Sequence, residues 1–335
     1  MSMEIPKTAA LEEMVFSRFN ADAFPGIALE VFLFQYRHNE LYRAFCDAVR
    51  RTPAEVTNPS HVPFLPISFF KNHQVTCGSF EPALIFESSG TTGLSTSRHL
   101  VKDAAMYEKS FRLAFEQFYG PVNEFCVLGL LPSYLERSCS SLVFMVKDMI
   151  QNSGHPQSGF YLHNHHQLAD TIRQLESAGQ KTLLIGVTYA LLDFAHAHPM
   201  PLSSTLIMET GGMKGRKQEL VRSEVHHLLR TAFGVDAIHS EYGMTELLSQ
   251  AYSKGAGEFK TPPWMKVLIR DETDPFALSE ERSGSGGINV IDLANLYSCS
   301  FIATEDAGRL LPDGSFEVLG RLDHADVRGC SLLSL

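Results

Sequence analysis

Positive charge is in short supply. The chain carries 28 Lys and Arg against 38 Asp and Glu, a formal net charge of −10, which excludes the generally basic surface that holds a nucleic-acid backbone. Paired cysteines are missing as well. Cys46, Cys77, Cys126, Cys139, Cys299 and Cys330 form no C-x-x-C pair and no zinc-type spacing, and 335 residues is far beyond the size of disulfide-stapled scaffolds. They read as reduced thiols in a cytoplasmic protein. No stretch approaches the ~18 uninterrupted apolar residues of a membrane span, and the N-terminus MSMEIPKTAALEEM lacks a basic start followed by an apolar run, so a soluble, unexported protein is expected. Internal repeats and long linkers are absent too; the run SGSGG at 283–287 reads as a hairpin turn.

What is present is enough apolar sequence, 44%, for layered structure around a sizeable core. Residues 1–80 read as a helical subdomain: Ile27, Leu29, Phe32, Leu33 and Tyr36, then Leu41, Tyr42, Phe45 and Val49, recur at spacings of three and four. Over 81–260 the period changes. ALIF, CVLGLL, LLIGV and TLIM resemble buried strands, and they alternate with helical spacing at 168–175 and 220–229. This predicts an α/β core with a mainly parallel sheet covered by helices. Over 261–335, WMKVLIR, GGINVIDL, SFIAT and SFEVLG read as strands joined by Gly, Asp and Ser turns.

The strongest chemical signal follows ALIF directly: Phe86-Glu87-Ser88-Ser89-Gly90-Thr91-Thr92-Gly93, then Ser95, Thr96, Ser97 and Arg98. Glycines free the backbone N–H groups to face an anion, hydroxyls add donors, and Arg98 and Lys102 bring positive charge. The segment lacks G-x-x-x-x-G-K-[ST] and is not a Walker A loop. A solvated Ser/Thr/Gly surface loop has the same composition. Further on, Ile238-His239-Ser240-Glu241-Tyr242-Gly243-Met244-Thr245-Glu246 places a carboxylate and a hydroxyl after a strand-like run, where open parallel sheets present their ligand loops. Thr304-Glu305-Asp306 offers a carboxylate suited to a ribose diol, and Gly320-Arg321-Leu322-Asp323 a guanidinium suited to phosphate or ribose oxygens. His163, His165 and His166 cluster without a partner pair at ligand spacing, and read as a polar strand-to-helix loop.

Taken in order, SSGTTG, TGGMKG, EYGMTE, TED and GRLD resemble the motifs of adenylate-forming enzymes such as acyl-CoA synthetases and phenylacetate-CoA ligases. FLPISFFKNHQV, LPSYLERSCSSL and RGCSLL are similar to the LuxE-type acyl-protein synthetases, that is, long-chain-fatty-acid–protein ligases. The resemblance runs from about Pro63 to the C-terminus. It implies ATP and Mg²⁺ as cofactors, with Ser88, Ser89, Gly90, Thr91, Thr92 and Gly93 on the triphosphate and Gly211 and Gly212 by the adenine. Tyr242 would pack near the nucleotide, Thr245 bind the α-phosphate, Glu246 hold Mg²⁺, and Asp306 bind the ribose hydroxyls. Arg321 matches the arginine of the GR-x-D motif and Asp323 the hinge position. The loop continues with Ser95, Thr96, Ser97 and Arg98 where most of the class has a Pro-Lys-Gly-like stretch, so Arg98 is the cation assigned to the phosphates. With the sequence ending at Leu335, the small C-terminal lid domain is expected to be absent.

The reaction so implied is activation of a carboxylic acid, a fatty acid above all, as an acyl-adenylate, followed by transfer to a thiol. Cys330, in RGCS, is the implied acyl-accepting cysteine, with Arg328 close enough to favour the thiolate; a small buried hydrophobe is the other reading of such a residue. An acyl reductase of the LuxC kind is the implied partner, with neither nucleic acid nor membrane span. Two alternatives stay open: a ligase that passes the acyl group to coenzyme A, and a nucleotide-binding homologue without turnover.

Overall fold

The computed structural model describes residues 9–17, 23–88, 96–131, 139–162, 164–211, 220–271, 274, 276–278 and 284–322. Ser89, Gly90, Thr91, Thr92, Gly93, Gly212, Asp323 and Cys330 lie outside the described residues.

The first eighty residues contain α1 (Ala9–Phe16), α2 (Phe24–His38), α3 (Glu40–Ala48) and α4 (Phe69–Asn72), with a two-residue strand β1 (Leu65–Pro66) before α4. In α2 the three- and four-residue spacing buries Phe24, Ile27, Ala28, Val31 and Phe32. Asn39 then ends one helix and caps the next, its side chain accepting from the Tyr42 N–H. These helices reach far along the sequence. Gln35 Nε2 donates to the carbonyls of Asn295 (3.0 Å) and Leu296 (2.9 Å), its Oε1 accepts from the Ser300 N–H (2.9 Å), and Asn39 Nδ2 donates to the Ser298 carbonyl (3.0 Å).

The ALIF segment forms β2 (Leu84–Glu87), but it is not part of a parallel sheet. It pairs antiparallel with β3 (Arg98–Val101) in a separate two-stranded ribbon. Of its four residues only Phe86 is buried, so the strand has one apolar face rather than two, which is what a ribbon at the edge of the core requires.

The expected β/α alternation follows: α5 (Ala104–Tyr119), β4 (Cys126–Leu130), α6 (Ser141–Ser153), β5 (Gly159–Phe160), α7 (His165–Ser177), β6 (Thr182–Gly186), α8 (Thr188–Ala197), β7 (Thr205–Glu209), α9 (Arg222–Phe233) and β8 (His239–Tyr242). The strands lie parallel in the order β5-β4-β6-β7-β8. Every residue of β4 and β6 is buried, which explains their unbroken apolar runs. Asn164 caps α7, its side chain accepting from the Gln167 N–H, so His165 and His166, expected in a loop, form the start of the helix, while His163 lies outside the described residues.

At β8 the sheet changes character. β9 (Ala251–Ser253), β10 (Glu258–Lys260), β11 (Met265–Arg270), β12 (Ser285–Asp292), β13 (Phe301–Leu310) and β14 (Phe316–Arg321) continue it antiparallel in the order β8-β9-β10-β14-β13-β12-β11, and β1 joins β13 in parallel. Among the described residues, one sheet of twelve strands therefore spans the α/β core and the β-rich segment. Residues 285–287, expected in a turn, are the start of β12. Gly287 belongs there because Arg270 lies where a side chain would go: its guanidinium crosses the Gly287 Cα to donate to the carbonyls of Ile288 (2.8 Å) and Thr304 (2.5 Å) and to Asn289 Oδ1 (2.8 Å).

Candidate nucleotide site

The Gly/Ser/Thr loop leaves the end of β2 and returns through β3. Of the six residues expected on the triphosphate, Ser88 is described, and it closes the mouth of the loop. Its N–H donates to the Ser97 carbonyl (3.0 Å) and its hydroxyl accepts from the Ser97 N–H (2.9 Å). One residue earlier the Glu87 N–H donates to the Cys139 carbonyl (2.9 Å). Arg98 sits across the ribbon from Glu87 and pairs with it, Nε to Oε1 at 3.4 Å, both side chains exposed.

Strand alternation sends the next residue, His99, to the other face, where it is 1% exposed. Its Nδ1 lies 2.9 Å from the Thr245 carbonyl and its Nε2 3.0 Å from Asn295 Oδ1. Asn295 in turn donates to the Glu246 carbonyl at 2.7 Å. Burial pushes the imidazole down to about 4, the two hydrogen bonds opposing. The strand that leaves the loop is thereby joined to the backbone of EYGMTE.

That segment follows β8, where the parallel half of the sheet meets the antiparallel half, a setting that opens a crevice beyond the strand ends. Tyr242 is buried with its ring against Phe316 and Phe259, at centroid distances of 5.5 and 5.9 Å, and its hydroxyl donates to Asp306 Oδ2 at 2.9 Å. Asp306 and Arg321 are register partners across β13 and β14. Arg321 donates to Asp306 Oδ1 (3.3 Å) and to Glu305 Oε2 (3.0 Å), and Lys71 from α4 lies 3.7 Å from Glu305. Three residues picked from separate motifs thus meet, Tyr242 and Arg321 each bonding Asp306. His99 and Asn295 hold the Thr245 and Glu246 carbonyls, and the Glu246 carboxyl lies within reach of the Arg321 charge. Arg98 stands apart, on the face of the ribbon opposite His99.

Glu246 is 5% exposed. Burial raises its carboxyl above the usual range, while the Ser97 hydroxyl and the charges of Lys71 and Arg321 work the other way. A buried carboxylate in that state gains from a divalent cation, and Mg²⁺ is usually held by one or two carboxylates together with phosphate oxygens and water. No group of three His, Cys, Asp or Glu among the described residues is placed to hold a metal without such help. Glu246 therefore fits a Mg²⁺ that arrives with a polyphosphate.

Four supporting residues escaped the sequence reading. His99 and Asn295 are two. Asp292, fully buried, is the third: it accepts from the N–H groups of Leu248 (2.7 Å), Ser249 (3.0 Å) and Ala294 (3.2 Å) and from the Ser249 hydroxyl (2.5 Å), fixing the chain just after EYGMTE. Burial raises it to about 6 against those bonds. The fourth is Glu209, at the end of β7 and 4% exposed. Its Oε2 accepts from Thr188 Oγ1 (3.0 Å) and the Gly211 N–H (2.8 Å), while Oε1 faces Arg222 Nε (3.4 Å) and His226 Nε2 (3.6 Å). Burial works to raise this carboxyl, but His226, Arg222 and the Gly211 N–H outweigh it and lower it to about 2. Gly211, expected by the adenine, adopts φ 71°, a conformation glycine takes at little cost, and Glu209 holds it there. The only sequence signal for Glu209 is an acidic residue closing an apolar strand just before TGGMKG.

The chain is 22% identical to the long-chain-fatty-acid–luciferin-component ligase of Aliivibrio fischeri, over 90% of this chain and 85% of that protein. No protein-family model matches it. Its fold is similar to that of 2-hydroxyisobutyryl-CoA ligase in complex with 2-HIB-AMP and CoA, at 11% identity and a TM-score of 0.63, over 96% of this chain and 70% of that one. It is also similar to ATP-bound MatB from Rhodopseudomonas palustris, at 17% identity and a TM-score of 0.55, over 72% of this chain and 49% of that one. The chain thus spans about half the length of MatB. These likenesses show an adenylate-forming fold, as the motifs predict. No described helix is long and apolar enough to cross a membrane.

Proposed function

We propose that this chain uses the adenylate-forming fold for ATP-dependent activation of a carboxylic acid and passes the acyl group to its own Cys330. The observation that carries the reading is the contact of Tyr242, Asp306 and Arg321 beside the Thr245–Glu246 backbone. Asp306 accepts from the ribose hydroxyls, and Arg321, already on Asp306, orients it. Gly211 and Gly212 flank the adenine, with Glu209 fixing the first of them. Ser88, Ser89, Gly90, Thr91, Thr92 and Gly93 surround the triphosphate, with Arg98 at the base of their loop. Thr245 donates to the α-phosphate, and Glu246 holds the Mg²⁺, which neutralises phosphate charge when bound.

In the first step a carboxylate oxygen of the acid forms a bond to the α-phosphorus and the bond to the bridging oxygen of pyrophosphate breaks. The donors around the phosphates stabilise the charge that develops. In the second step the Cys330 thiolate, its proton lost to solvent, attacks the acyl carbon and expels AMP, leaving a thioester for an acyl reductase or another acceptor. The similarity to a fatty-acid ligase makes a fatty acid the first substrate to try.

Carboxylate-dependent exchange of labelled pyrophosphate into ATP tests the first step without any acceptor. The expected result is Mg²⁺-dependent exchange with one group of acids, and a Cys330→Ser variant that keeps exchange while losing stable labelling by radioactive acid. Absence of exchange with every acid, from acetate through long-chain to aryl acids, rules out the adenylation step. Full labelling of Cys330→Ser moves the acceptor elsewhere, and discharge onto added coenzyme A with no protein labelling identifies coenzyme A as the acceptor.

A further inference from the structure

The strand that carries Asp306 loses its register where Asp306 sits. β12 and β13 pair in one register up to Gly287 opposite Ala307 and in another from Asn289 opposite Ala303, so Ile288 alone faces the three residues Thr304, Glu305 and Asp306. A bulge of this kind interrupts the ladder and re-aims a side chain. Here the bulge is the TED motif itself.

Arg270 closes the gap. Reaching over Gly287, its guanidinium donates to one carbonyl on each strand, Ile288 on β12 (2.8 Å) and Thr304 on β13 (2.5 Å), and to Asn289 Oδ1 (2.8 Å). The Thr304 hydroxyl extends the closure: it donates to the same Ile288 carbonyl (2.9 Å) and accepts from the Asp306 N–H (3.1 Å). Hydrogen bonds therefore run unbroken from Arg270 to the backbone of Asp306. The arrangement is costly. Arg270 is 8% exposed and its three bonded partners are neutral; burial lowers its pKa, while the Asp306 charge works the other way. Neutral groups could bridge two strands at less cost, so a buried cation here has a purpose beyond holding them together.

The Asp306 carboxylate shows that purpose. One of its oxygens accepts from Tyr242 (2.9 Å) and the other from Arg321 (3.3 Å), which leaves acceptor capacity on both, as a ribose diol requires. The Arg321 side chain is 68% exposed, and pairs so open to water hold weakly. The buried support comes from the other side. We propose that Arg270 is a positioning residue of the nucleotide site: by closing the bulge it sets the direction in which Asp306 presents its carboxylate, and with it the preference for a nucleotide that carries both ribose hydroxyls. This rests on the assignment of Asp306 to the ribose.

The test is calorimetric binding of ATP and of 2′,3′-dideoxy-ATP to the full chain. The wild-type protein is expected to prefer ATP by about tenfold or more, the worth of hydrogen bonds to a charged acceptor. Arg270→Met keeps the bulk without the charge or the donors, and should bring that preference to within about twofold while leaving the affinity for dideoxy-ATP unchanged. A role in stability alone would not alter the ratio. Equal weakening of both nucleotides by Arg270→Met, or an unchanged preference, overturns the proposal. Where Arg270→Met does not fold, Thr304→Val, which removes only the link to the Asp306 N–H, is judged by the same outcomes. Asp306→Ala distinguishes a failure of the underlying reading: a preference that survives it, or that the wild type lacks, overturns the ribose role of Asp306. Binding of neither nucleotide overturns the nucleotide site as a whole.

Discussion

Replacement of Glu209 by Gln keeps the shape of the side chain and one acceptor for Thr188 and Gly211, and removes the charge that Arg222 and His226 face. The lowering of this carboxyl from 4.5 to about 2 corresponds to about 3 kcal/mol of folding free energy at neutral pH, taking about 1.4 kcal/mol per unit. Because the folded pKa lies below the unfolded one, the stabilisation is fully present above pH 4.5 and is lost as the pH falls through about 2. Urea unfolding of wild type and Glu209→Gln, followed by tryptophan fluorescence of the single, buried Trp264, should therefore differ by about 3 kcal/mol at pH 7. At pH 3 linkage leaves less than half of that difference. Partial exposure of Arg222 makes the pH 7 figure an upper value. A difference that stays the same from pH 7 to pH 3 would refute the reasoning, since the loss would then come from packing rather than charge. The same variant should bind ATP more weakly, because Gly211 loses a charge-assisted bond.

Tyr242→Phe removes the hydrogen bond to Asp306 and should cost about 1 kcal/mol, read as a roughly fivefold weaker affinity for a non-hydrolysable ATP analogue; unchanged affinity would separate Asp306 from nucleotide binding. His99→Phe removes the one N–H that the neutral imidazole offers to the Thr245 carbonyl or Asn295 Oδ1, a loss of about 2 kcal/mol measurable by denaturant unfolding, and equal stability would mean that the acceptor finds another partner. Gly287→Ala drives a methyl group into the Arg270 guanidinium and should cost about 1–3 kcal/mol, visible as a lower melting temperature; no shift would show that Arg270 rearranges freely.

The elements that could be read from the sequence are those whose surroundings are uniform. β4, β6 and β7 are buried on both faces or nearly so, and their apolar runs say as much; α2 and α7 expose one side, and their spacing says that. ALIF is as apolar as TLIM, yet it pairs with the strand directly after the loop, because a run of four residues carries no information about its partner. Pairing of β10 with β14, which joins the last four strands to β8–β10, is equally invisible. The same division runs through the site. Tyr242, Asp306 and Arg321 sit in short motifs that mark them out, whereas His99, Asn295, Asp292 and Glu209 are single polar residues in unremarkable surroundings. They acquire a role only when strands far apart in sequence meet.

The ties between α2 and the segment at 295–300 set a condition on how the site comes into being. Gln35 and Asn39 bond residues about 260 positions later in the sequence, and the segment they hold contains Asn295, on which His99 and Glu246 depend. Loop closure over such separations is slow, and a topology rich in them folds late rather than early. During synthesis the early helices must wait for the 290s to emerge before the nucleotide crevice can take shape. Until then their apolar faces are open to other chains, a hazard that chaperones meet. A pulse-labelling experiment should find His99 and Gln35 gaining protection together, in the last phase of folding.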